Sequence, residues 1–169
     1  MTQRSDSRKL SADLGNAALG ERKRRQALEN LAAETVAEFH EVEDVIEDLE
    51  QLLSTAEMAR TLGDISSPRN DPGSLAEAVV MLAEILLRIS RADFKSGYLS
   101  QLKTPAKDHL KKLTVIRDSW PKLKAQNDTR HVNKAISAAY KDLIKSLHKI
   151  HKTLGKEARS LNKDLRKNA

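Results

Sequence analysis

From residue 21 onward the apolar positions recur in steps of three and four. Leu28, Leu31, Phe39, Val42, Val45, Ile46, Leu49, Leu52 and Leu53 fall mostly along one stripe, the pattern of an amphipathic helix. A helix over about 21–53 is predicted, with a near-heptad period that suits coiled-coil packing. Residues 1–20 carry Ser, Asp, Asn and Gly between isolated leucines, and read as a flexible or loosely helical tail.

GDISSPRNDPG at 63–73 is the clearest break, because each of its residue types favours turns for its own backbone reason. Gly63 is expected just after the first helix ends. Ser74 and Glu77 then have the spacing of a capping box, in which two free amides at a helix start are satisfied reciprocally. A second helix is predicted over about 75–102. Its first half, LAEAVVMLAEILLRI, is apolar almost all round, as in a helix buried on most sides.

Thr104 and Pro105 open a third helix over about 105–119, which Pro121 ends or kinks. A polar turn with Asp128 or Thr129 as the cap leads into a last helix over about 131–166. The apolar seam of that helix is Val132, Ile136, Tyr140, Leu143, Leu147, Ile150, Leu154, Leu161 and Leu165. These elements predict an all-α fold: an antiparallel bundle of about four main helices with a long basic C-terminal helix. A single domain is expected over 21–169, since 169 residues suffice for one core.

Composition agrees with helices. Aromatics make up only 3% of the chain and charged residues 32%, which disfavours sheets. No cysteine is present, so disulfides, thiolate metal sites and a Cys nucleophile are excluded. No run of 18 apolar residues exists, so no membrane insertion is expected, and the polar N-terminus lacks the apolar core of a secretion signal. A cytoplasmic protein is expected, or a virion component if the chain is viral.

Charge changes the picture more. The net +6 divides into +4 over 1–27, −12 over 28–84 and +14 over 85–169. Such asymmetry implies an electrostatic partner, within or outside the chain. On the last helix, Lys141, Lys145, His148, Lys152, Lys156, Arg159, Lys163 and Arg166 follow one another in steps of three and four. At about 100° per residue they share a sector of roughly 80°, opposite the apolar seam. A continuous basic ridge of this kind can follow a run of phosphates and release counterions. Only Asp142, Glu157 and Asp164 lie between Lys134 and Lys167, against ten basic residues, so like charges repel along the face. The plainer reading is a solvated face that keeps the helix soluble.

Lys outnumbers Arg on this ridge, which suits diffuse phosphate contact with weak sequence preference more than bidentate base reading. The five aromatics, Phe39, Phe94, Tyr98, Trp120 and Tyr140, are needed largely for the core and speak against a stacking platform for bases. Arg22, Lys23, Arg24 and Arg25 form a second, auxiliary basic cluster.

The first helix has an acidic face. Its charges are expected to complement the last helix where they flank the seam. Glu41, Asp44 and Asp48 are the candidates for a protein contact, with Glu41 and Asp48 pointing away from the seam and left free. Docked on the basic helix of another copy, this face would make a heterologous contact and hence an assembly.

Catalysis has little support. No phosphate-binding Gly loop, nucleophile elbow or HExxH is present. His148 and His151 have a metal-pair spacing but are surrounded by Lys145, Lys149 and Lys152, so no metal site and no cofactor is expected. The expectation is a non-catalytic structural protein that holds DNA or RNA backbone and self-associates. A protein-binding adaptor, using the acidic face against a basic partner, is the alternative.

Overall fold

The computed structural model describes the backbone of residues 2–66, 72–126 and 128–167, and the side chains of 18–56, 75–126 and 128–167. The chain is all-helical, with no strand among the described residues. In order it forms α1 (Thr2–Ser66), α2 (Pro72–Ser90), a 3-10 turn (Leu99–Leu102), α3 (Lys103–Asp118), α4 (Trp120–Gln126) and α5 (Thr129–Lys167).

α1 is longer than its periodicity suggests. It begins at Thr2, well before Glu21, and runs through Gly63 to Ser66. No proline interrupts it, and a glycine inside a helix costs only about 1 kcal/mol relative to alanine. At roughly 1.5 Å per residue its 65 residues extend about 97 Å. α2 begins at Pro72, ahead of the expected cap. The side chain of Ser74 and the middle of the 63–73 break lie outside the described residues.

α1 and α5 are partners, and they run antiparallel. Leu28 shares a hollow with Leu165, Phe39 stacks on His151, and Glu43 reaches the same histidine. Both helices bury apolar faces: Val42, Val45, Leu49 and Leu52 of α1 are buried, as are Val132, Ile136, Leu143, Leu147, Ile150 and Leu154 of α5. The 3.6-residue repeat visible in the sequence is thus the buried seam. α2 packs on α1, α3 and α5, and completes the core with Leu75, Leu82, Leu86 and Ile89.

On the second helix Val80 is 58% exposed and Leu87 36% exposed, while Leu75, Ala78, Leu82, Leu86 and Ile89 are buried. The helix differs from expectation in stopping at Ser90 instead of continuing to Leu102. Ser90 Oγ donates to the Leu87 carbonyl at 2.8 Å, and the Ala92 amide donates to Ile89 at 3.2 Å, closing the helix. A turn from Phe94 to Gly97 follows, with Gly97 at φ +73°, a conformation glycine adopts without strain.

Pro121 behaves as its chemistry requires. α3 closes at Asp118, and Pro121 sits in the first turn of α4, where a missing amide leaves no bond unmade. Asp128 caps α5, its Oδ1 accepting from the His131 amide at 3.4 Å.

Candidate nucleic-acid interface

All eight ridge residues, Lys141, Lys145, His148, Lys152, Lys156, Arg159, Lys163 and Arg166, are exposed on α5. The helix buries Leu143, Leu147 and Leu154 on the other side, which fixes the ridge outward. Two of its three acids are turned to other elements. Asp142 meets His109 of α3 at 2.7 Å, and Glu157 accepts from the Tyr98 hydroxyl at 2.5 Å.

Arg22, Lys23, Arg24 and Arg25 are also exposed. Because α1 and α5 are antiparallel, this cluster lies beside the C-terminal end of the α5 seam. Arg22, Arg24 and Arg25 line a hollow of about 580 Å³ together with Leu28 and Leu165, the last apolar residue of the α5 seam. Residues about 140 positions apart in sequence therefore meet at one end of the helix pair, the 22–25 cluster bordering the seam at Leu165. Arg25 is also bonded to Glu29, at 3.2 Å.

The acidic candidates are placed differently from expectation. Glu41 and Asp48 are not left free. Arg88 of α2 lies between them, with Nη1 2.6 Å from Asp48 Oδ2 and Nε 3.8 Å from Glu41 Oε1. The two carboxylates are one helical repeat of seven apart, so a single guanidinium crossing from α2 reaches both. Asp44 is exposed. Across the α1–α5 seam, Glu43 Oε2 lies 3.7 Å from His151 Nε2.

One acidic residue has a different role altogether. Glu38 is fully buried, and its Oε1 accepts from the Leu99 amide at 2.6 Å. Burial pushes its carboxyl above the usual range; the Leu99 amide pulls it down, and the charges of Glu157 and Glu34 push it up again. Its Oε2 and the nearby connector's Ser96 Oγ are buried without a hydrogen-bond partner. Tyr98, from the same connector, has its phenol raised chiefly by the hydrogen bond to Glu157. A cleft of about 380 Å³ lies alongside, lined by Thr35, Ser96, Tyr98, Glu157, Ser160 and the flanking Leu31 and Leu161.

A second opening along the α1–α5 seam brings two rings together. Phe39 stacks on His151 with centroids 4.4 Å apart and planes at 19°. His40 meets Phe39 edge-on at 5.6 Å and bonds Glu43 at 3.1 Å. The groove holds about 450 Å³ and is lined by Val36, Phe39, His40, His151, Lys152, Gly155, Ala158 and Arg159. Counting Phe, Tyr and Trp alone overlooks the ring that histidine supplies.

Among the described residues no group of three or more His, Cys, Asp or Glu could hold a metal ion. No described helix is long and apolar enough to cross a membrane. No family model, curated protein or solved structure matches this chain.

Proposed function

We propose that this chain is a non-catalytic binding protein for the phosphate backbone of nucleic acid. α5 supplies the main contact, the 22–25 cluster an auxiliary one, and the helices form an antiparallel bundle that supports both. The observation that carries this reading is the outward ridge from Lys141 to Arg166, with the second basic cluster at the end of the α1–α5 pair where α5 finishes. Lysines on a helix face make many weak phosphate contacts, each releasing counterions, and carry little sequence information.

We also infer self-association. Glu43, Asp44, Glu47 and Glu50 of α1 are exposed, and the ridge is exposed elsewhere on the same chain. One copy can thus offer an acidic face to the basic face of the next, a heterologous contact that builds open assemblies. The adaptor alternative loses support, because two of its three residues are engaged by Arg88.

Filter binding to random duplex DNA and RNA at two salt concentrations tests the first part. Binding that weakens steeply with salt, and falls further in the Lys145→Glu, Lys152→Glu double variant, is expected. Absence of binding at low salt, or an unchanged double variant, rejects it. Sedimentation over a concentration series tests the second part, and a strict monomer at high concentration rejects it.

A further inference from the structure

The groove between α1 and α5 opens beside the ridge, and its two walls differ in chemistry. One wall carries Phe39, half-buried and packed against the core. The other carries His151, whose side chain is 34% exposed, followed by Lys152 and Arg159 of the ridge. Gly155 lies between those two cations and makes room for the ring. A Cβ at position 155 would stand 3.3 Å from Phe39 Cε2, tight enough that the ring would have to shift by a few tenths of an ångström. The result is a slot with an aromatic floor, bordered on one side by two cations about 10 Å apart, two helical turns.

We propose that this slot seats one unpaired base of single-stranded nucleic acid, with its ring against the Phe39–His151 stack and the flanking phosphates on Lys152 and Arg159. A flat ring flanked by anions is the chemistry that matches an aromatic floor bordered by two cations. Duplex bases are stacked on one another and cannot enter, whereas an unpaired base presents its face freely. The proposal rests on the phosphate-binding reading of the ridge and deepens it, since it makes the partner single-stranded.

Fluorescence anisotropy with labelled single-stranded DNA, single-stranded RNA and duplexes of equal length tests this on the full chain. A stacked base contributes about 1–3 kcal/mol, so single strands of at least one sugar type should bind about 5- to 150-fold tighter than duplex. A single strand carrying 2-aminopurine should lose fluorescence on binding, as a stacked base does. Phe39→Leu should abolish both the preference and the quenching while leaving duplex affinity within about twofold. Gly155→Ala, which changes no charge and crowds the ring, should weaken single-strand binding in the same direction. It remains informative if Phe39→Leu loses helical circular dichroism. Equal affinity for single strands and duplex, with neither variant discriminating, overturns the slot and leaves the ridge standing. Absence of all binding at low salt overturns both. Single strands preferred but unaffected by either variant also overturns the slot, and places the preference elsewhere on the ridge.

Discussion

Glu38 on α1 accepts a hydrogen bond from the Leu99 backbone amide at 2.6 Å, across 61 positions of sequence. A carboxyl group without solvent exposure thereby fastens the α2–α3 connector to the longest helix. The bond needs only an acceptor at Oε1, and burial disfavours the charge on the group, so the site favours the protonated form. The folded protein then binds this proton more tightly than the unfolded chain does. The corresponding stability is complete below 4.5, the ordinary value for a glutamate, and is lost as pH rises from there through the raised value in the folded protein.

Glu38→Gln keeps the acceptor and cannot ionise. It should unfold at a higher temperature than the parent at pH 7 and show no advantage at pH 4, by thermal melts across that range. Glu38→Ala should instead lose about 1–3 kcal/mol, because the Leu99 amide is left buried without a partner. A Gln variant that melts below the parent at pH 7 would show that the carboxylate charge is itself stabilising.

Tyr98 donates to Glu157 at 2.5 Å, and the negative charge opposite its oxygen resists formation of a phenolate. Ultraviolet titration of Glu157→Gln should show one of the two tyrosines ionising at lower pH than in the parent, closer to 10.0. Tyr98→Phe should remove the raised transition altogether. Identical titration curves for parent and Glu157→Gln would contradict the hydrogen bond.

Two substitutions separate surface charge from core packing. Arg88 is 40% exposed and pairs with Asp48, which is 37% exposed. Arg88→Ala should therefore cost only about 0.2–1 kcal/mol, and less in high salt, where screening weakens the pair in the parent too. Leu147 is fully buried in the α5 seam, and Leu147→Ala should cost about 2–5 kcal/mol, nearly independent of salt. Chemical denaturation in low and high salt checks both.

Ridge lysines that contact phosphate should each leave a mark on the salt dependence of binding. Lys145→Ala with Lys156→Ala should reduce the log–log salt slope by about 1.8 on duplex and about 1.4 on single strands, if both residues touch phosphate. A weakened affinity with an unchanged slope would mean that they act through the fold instead.

The helical class, the seam of α5 and the ridge opposite it were all legible in the sequence, because one repeat near 3.6 residues determines both faces. The stop after Ser90 was not. Ala92, Phe94, Tyr98 and Leu99 continue to supply apolar residues, and they mask the Ser96–Gly97 turn. Glu38 was hidden among carboxylates of the acidic segment. Its neighbours Thr35 and Val42 are buried, so position 38 belongs to the inward stripe. A charged residue at an inward position is the signal that could have singled it out. The approach of the 22–25 cluster to Leu165 depends on the antiparallel pairing, and the Phe39–His151 stack depends on its register. Neither is a property of any one segment.

The ridge also has a length, and a length implies a stoichiometry. From Lys141 to Arg166 is 25 residues, or about 38 Å along the helix axis. Along B-form duplex, which advances about 3.4 Å per base pair, a protomer would occlude about 11 base pairs. Titration of duplex at concentrations well above Kd should then break at about one protomer per 11 base pairs. A coat of such protomers would meter its polymer in units set by the last helix.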